Sequence, residues 1–282
     1  MIILYTVIIL GLLALVLAVI LYVIAQKFKV EENPLIDEVV ELLPGANCGG
    51  CGFPGCGGFA SICVTNNSLD GMFCPAGGNE TMKKIASLLG LTVEEQEPKV
   101  AVIRCNGSKE KRPIVNNYDG IKTCAIAHAT FGGETGCIYG CLGFGDCANA
   151  CSANGITMDE ESGLPIFDEK SCTSCGGCVK TCPRGLIELR NQGKNNRRVY
   201  VACRNSDKGA DAKKACGAAC IGCGICMKNC PFEAISLNNN LAYIDFTKCK
   251  LCRKCTTGCP TGAILEVNFP PRKSEIINEN IN

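Results

Sequence analysis

Three stretches of this chain repeat one cysteine spacing and follow its last member with proline: Cys172, Cys175, Cys178, Cys182-Pro183; Cys220, Cys223, Cys226, Cys230-Pro231; and Cys249, Cys252, Cys255, Cys259-Pro260. Three thiols at intervals of three, then one four residues on, is the spacing of bacterial [4Fe–4S] ligands, in which the fourth cysteine serves the neighbouring cluster. The spacing constrains folding strongly, because every run must close around an inorganic group and the runs must come together in pairs.

The rest of the composition agrees with inorganic cross-linking. The chain has 25 Cys and 32 Gly in 282 residues, no Trp, 10 Phe and 6 Tyr, too few large apolar side chains to fold on burial alone. The iron-free protein is therefore expected to be largely unfolded beyond its N-terminal segment. Zinc ribbons need two separated Cys pairs, whereas tight runs of four fit clusters. No Cys-x-x-Cys-His occurs, which excludes covalent c-type haem, and one histidine, His128 between Ala127 and Ala129, is too few for a Rieske centre. His128 reads as a packing or surface residue. No dinucleotide fingerprint or Walker-type loop is present. The residues point to no catalytic group and no nucleotide site.

From Ile2 to Ala25 no side chain is charged, long enough for one membrane-spanning helix. No basic residue precedes it, unlike a secretory signal, and Lys27 and Lys29 follow it. The positive-inside rule then places the soluble part in the cytoplasm, anchored by one pass in the inner (cytoplasmic) membrane of a bacterial cell, where thiols stay reduced. The formal charge of +1 counts every cysteine as neutral; five thiolate-held clusters at about −2 each would bring it to about −9. Lys and Arg are scattered, so nucleic-acid binding is not expected.

After the anchor, Ile36, Val39, Val40 and Leu43 keep a helical spacing within Glu31 to Pro44. A glycine-rich stretch with Cys48, Cys51 and Cys56 follows, then Cys74-Pro75. These four cysteines are candidate ligands of a first [4Fe–4S] module over residues 30–91. Cys63 could replace Cys74, but in an expected helix after Phe59-Ala60 it reads as a buried free thiol. Glu80 to Leu89 reads as a closing helix, and Glu94 to Lys99 as a charged linker.

Beyond it lies an internal repeat. Cys151, Cys182, Cys230 and Cys259 each precede an Ile by five residues, and Asp168 and Asp245 each stand four residues before a first ligand. Each repeat reads as a ligand loop, a helical turn and a strand. Exchange of the fourth cysteine pairs Cys220, Cys223, Cys226 with Cys259, and Cys230 with Cys249, Cys252, Cys255. The irregular run Cys137-x3-Cys141-x5-Cys147-x3-Cys151 then supplies Cys137, Cys141, Cys147 with Cys182, and gives Cys151 to Cys172, Cys175, Cys178. Five clusters use twenty cysteines. Cys105 and Cys203 end similar strands, and Cys216 is a rival to Cys223. Cys105, Cys124 and Cys203 read as packed thiols. The fold class is α+β: residues 1–26 a transmembrane anchor, the first module, two tandem ferredoxin-like units at 99–190 and 199–269, and a disordered tail over 270–282.

Taken together, the uncharged N-terminal helix, the Cys48/Cys51/Cys56/Cys74 module and the tandem ferredoxin part resemble the RnfB family of Rnf ion-translocating ferredoxin:NAD oxidoreductases, in its longer form from anaerobes. The resemblance implies a non-catalytic relay component of a translocase. Electrons from soluble ferredoxin would enter at the distal units and leave through the Cys48 module toward multi-span membrane subunits. Flavin and NAD chemistry would belong to other subunits. The alternative reading is a polyferredoxin component of a membrane hydrogenase or formate dehydrogenase; a storage or redox-sensing protein is a third.

Overall fold

The computed structural model of the chain describes residues 2–27, 33–66 and 68–272. The expectations for Lys29, for the start of a helix at Glu31 and for the tail beyond Arg272 lie outside the described residues.

Helix α1 (Ile2–Lys27) is apolar on every face, and its span Leu4–Ile24 has a mean hydropathy of 3.3 with none of it buried against the rest of the protein. Burial therefore has to come from outside the chain, and the length suits a bilayer. Helices α2 (Pro34–Leu42), α3 (Gly55–Asn66) and α4 (Gly78–Leu89) form the next module. Asn33 caps α2 by accepting the Leu35 N–H at 3.1 Å, with Pro34 opening the helix. The three helices bury Val39, Phe59, Met82 and Ile85 in a small core of their own. Gly90 closes α4 in the left-handed conformation.

The remainder is built twice on one plan. In the first copy, β1 (Lys99–Ile103) pairs antiparallel with β4 (Ile187–Asn191), from Lys99 opposite Asn191 to Ile103 opposite Ile187. Between them in sequence lie α5 (Cys124–Thr130), α6 (Asp146–Asn149), the hairpin of β2 (Ile156–Met158) and β3 (Pro165–Phe167), and α7 (Gly177–Thr181). In the second copy, β5 (Arg198–Val201) pairs with β8 (Ile264–Val267) around α8 (Gly209–Ala215), α9 (Ile225–Lys228), the hairpin of β6 (Ile235–Asn238) and β7 (Leu241–Ile244), and α10 (Lys254–Thr257). The four isoleucines five residues after a cysteine each open a strand: Ile156, Ile187, Ile235 and Ile264, all buried.

The short helices α6, α7, α9 and α10 each follow a left-handed residue, Gly145, Gly176, Gly224 and Arg253. Arg253 bears the backbone cost of a Cβ there; its guanidinium pairs with Glu266 on β8 and lies 4.9 Å over the Phe269 ring. The copies meet where β1 lies along β5. Val102 packs on Tyr200 and Ala202, the Asn106 N–H donates to the Ala202 carbonyl at 2.9 Å, and the buried Arg104 donates to the carbonyls of Val201 and Cys203. Arg190, 1% exposed, is stacked against Tyr200, Tyr243 and Phe246 of the second copy.

Candidate iron–sulfur centres

Among the described residues no three His, Cys, Asp or Glu side chains converge on a single metal ion. A zinc ion would draw its sulfurs to within about 4 Å of one another. The thiols instead gather in looser groups.

In the first module, Cys48, Cys51 and Cys56 are half-buried and Cys74 is buried. Asn47 accepts the Cys56 N–H at 2.8 Å and so fixes the turn between the second and third thiols. Burial raises the pKa of Cys74, and the nearby Cys51 and Cys56 raise it further. Cys63 lies behind this group, fully buried with its Sγ 3.8 Å from Met72 Sδ, and burial pushes its thiol up to about 11.

In the first ferredoxin unit, burial pushes Cys178 up to about 12, with Cys172, Cys175, Cys147 and Cys151 adding to it. Cys151 Sγ accepts the Gly155 N–H at 3.3 Å. A separate small space has Cys124, Cys141, Cys147 and Cys182 in its wall, together with Leu142, Met158 and Ile187. Cys137 does not line it. The reason is visible on comparing the copies: Cys141 and Cys147 correspond to Cys220 and Cys226, so the middle position, Cys223 in the second copy, falls on Phe144. Phe144 turns to the Tyr118 ring at 5.8 Å, and Cys124 at the start of α5 reaches the space instead. Asp146 holds it there, accepting the N–H groups of Cys124 at 2.9 Å and Ala125 at 3.0 Å. Cys124, read from the sequence as a packed thiol, lines this space, and the sequence feature that goes with it is Phe144 at the position where the second copy has Cys223.

In the second unit, Cys220, Cys223, Cys226 and Cys259 line the equivalent space. Burial pushes Cys226 up to about 11, with Cys220, Cys223 and Cys259 among its neighbours. Cys216, the rival to Cys223, is not in this wall. Burial likewise pushes Cys255 up to about 12, with Cys249, Cys226 and Cys252 adjacent, and raises Cys249 beside Cys252 and Cys230. Loading each group with a cluster requires deprotonation, which cationic iron drives.

The module and the first unit touch closely. A Cβ at Gly50 would stand 2.8 Å from the Cys175 Cα and carbonyl oxygen, so the loop between Cys48 and Cys51 lies directly on a ligand loop of the first unit.

Family descriptions match accordingly: "4Fe-4S dicluster domain" at residues 219–264 and again at 136–186, "4Fe-4S double cluster binding domain" at 171–240, and "Putative Fe-S cluster" at 43–68. Over 257 residues the chain is 40% identical to the B component of the Na+-translocating ferredoxin:NAD+ oxidoreductase complex of Acetobacterium woodii, covering 91% of this chain and 75% of the relative. It is 40% identical to the B component of the ion-translocating oxidoreductase complex of Methanosarcina acetivorans, covering 87% and 91%. It is 38% identical to the B component of the proton-translocating ferredoxin:NAD+ oxidoreductase complex of Clostridium ljungdahlii, covering 91% and 90%.

Proposed function

The chain belongs to the RnfB family of ion-translocating oxidoreductase complexes, and from that membership we propose that it relays electrons between soluble ferredoxin and the membrane subunits of such a complex. It performs no bond chemistry of its own and leaves flavin, NAD and ion translocation to its partners. When bound, each [4Fe–4S] cluster supplies a one-electron carrier. The protein's part is to hold, space and insulate these groups.

The observation that carries the reading is the contact of Gly50 with Cys175. It supports the reading by bringing the module that follows the anchor in sequence against a ligand loop of the ferredoxin part. We assign Cys48, Cys51, Cys56 and Cys74 to the module centre. Cys151, Cys172, Cys175 and Cys178 hold the second; Cys220, Cys223, Cys226 and Cys259 another; and Cys230, Cys249, Cys252 and Cys255 a further one. For the remaining centre of the first unit, Cys124 replaces Cys137 beside Cys141, Cys147 and Cys182, because Cys124 lines their common space. Helix α1 anchors the protein in the cytoplasmic membrane with the centres in the cytoplasm.

Mixing the anaerobically purified full chain with reduced ferredoxin tests the relay. Rapid bleaching of the clusters' visible absorbance supports it. Clusters that stay oxidised while dithionite reduces them would instead favour the hydrogenase-type or sensor readings. In Cys51→Ser, bleaching by ferredoxin should persist while transfer onward to membranes containing the partner subunits is lost.

A further inference from the structure

We propose that Cys105, Cys137, Cys203 and Cys216 hold an additional [4Fe–4S] cluster between the two ferredoxin units. The inference rests on the ligand map above, which releases Cys137 from the neighbouring centre.

Each unit contributes the equivalent pair. Cys105 follows β1 and Cys203 follows β5, while Cys137 and Cys216 each stand four residues before a ligand, Cys141 and Cys220. All four are buried, at 5–8% exposure. Asn205, fully buried, ties two of them together: its backbone N–H donates to Cys203 Sγ at 3.4 Å and its side-chain amide to Cys137 Sγ at 3.7 Å. Gly107 ties in the others, since a Cβ there would stand 3.1 Å from Cys216 Sγ, two residues from Cys105.

One buried and one half-buried cation point to an anion in their midst. Arg112, 5% exposed, and Arg184 reach backbone carbonyls beside this group, at Cys141 and at Cys137 and Gly140. Among the described residues neither forms an ion pair with a carboxylate, and the Nε of each is buried without a hydrogen-bond partner. Two desolvated guanidinium groups without counter-charge are costly. A [4Fe–4S]2+ core transferred from a scaffold-type donor onto four thiols releases four protons and leaves a net charge of about −2, which these arginines offset. Cysteine packing alone explains the burial but not the uncompensated arginines.

The location also suits a relay. Cys105 Sγ accepts the Cys141 N–H at 3.4 Å, and Cys203 lies beside Cys220. The group thus adjoins one centre of each unit.

Iron and acid-labile sulfide should be counted on the anaerobically purified full chain, together with zinc. The expected result is about 24 of each per chain, falling to about 20 in Cys203→Ser/Cys216→Ser, with no zinc. A wild-type count of about 20, an unchanged count in the double variant, or one zinc per chain overturns the proposal. The wild-type count needs no substitution and decides even if the variant does not fold. A wild type with about 20 irons that is still reduced by ferredoxin sinks this site alone, whereas one with about 24 that ferredoxin cannot reduce sinks only the relay.

Discussion

Asp146 accepts hydrogen bonds from the N–H groups of Cys124 at 2.9 Å and of the next residue at 3.0 Å. One carboxylate next to Cys147 thereby fixes the start of a helix that is more than twenty residues earlier in sequence. Asp146→Ala removes both bonds, costing about 1–2 kcal/mol of local stability. It should lower iron content by up to about four per chain. Combining it with Cys124→Ser should lose no more than Cys124→Ser alone, whereas combining it with Cys203→Ser/Cys216→Ser should add to the loss. Iron assays on these five variants beside the unaltered protein check this.

Gly50 is required by close approach rather than by its backbone angles. A methyl group there meets the Cys175 backbone at 2.8 Å, and backbone cannot swing aside as a side-chain end can. Gly50→Ala should leave the iron count unchanged but push the module away from the first unit. Transfer from ferredoxin to membrane partners should slow at least tenfold while reduction of the distal clusters does not. Stopped-flow measurements of the two phases would expose an equal effect on both, which would contradict this account.

Arg190 joins the two units through three aromatic rings at 5.1–5.6 Å and an ion pair with Glu188. Arg190→Ala leaves a cavity and removes the cation from the rings, so a loss of roughly 2–4 kcal/mol is expected. Arg190→Lys should recover only part of it, because an ammonium cannot stack flat on several rings. Denaturant midpoints of the cluster-loaded proteins measure the difference.

Asp168 and Asp245 each bend the chain into a first ligand. Asp168 accepts from the Ser171 hydroxyl at 2.5 Å and the Lys170 N–H, and Asp245 from the Thr247 hydroxyl and N–H at 2.7 and 2.9 Å. These bonds, the hydroxyls first, hold both carboxyls below the usual range. A folded pKa depressed below the unfolded value means stabilisation that is full above about pH 4 and is lost as the pH falls through the folded value. Asp168→Asn/Asp245→Asn should flatten the steepest acid part of the stability curve below about pH 4 while lowering stability at neutral pH. Cluster absorbance followed against pH in both proteins reads the effect.

Iron removal should unfold the ferredoxin part. Cys137, Cys203, Cys216, Cys220, Cys226 and Cys255 make up much of the second unit's buried core, whose large members are Val199, Val201, Ile235, Ile244 and Ile264. Taking iron from that core leaves a space lined by Cys220, Cys223, Cys226 and Cys259 that protein atoms do not fill. Chelation under anaerobic conditions should make residues 99–269 protease-sensitive and abolish strand signal by circular dichroism. Retained native protection there would refute the dependence on clusters.

Local spacing carried much of the architecture. The ligand loops, the isoleucines that open strands, the turns at Asp168 and Asp245, and α1 as an apolar rod all depend on residues within a few positions of one another, and short-range sterics and hydrogen bonding suffice to specify them. Cys182 and Cys259, which end their runs at a repeated interval, line the spaces shared with Cys141 and Cys147 and with Cys220, Cys223 and Cys226.

The irregular run was not legible in this way. Position 144 is a ligand slot by spacing, yet it carries Phe, and nothing within several residues says which distant thiol takes its place. That is decided when Tyr118 packs on Phe144 and Asp146 captures the start of α5. Likewise Cys105, Cys137, Cys203 and Cys216 look like spare thiols along the chain, because their grouping exists only once β1 is laid beside β5. By itself the sequence determined an apolar anchor and repeated thiol loops built for inorganic clusters. Tertiary structure alone decided which thiols share a space, because pairing by contact between distant segments depends on packing that no local interval encodes.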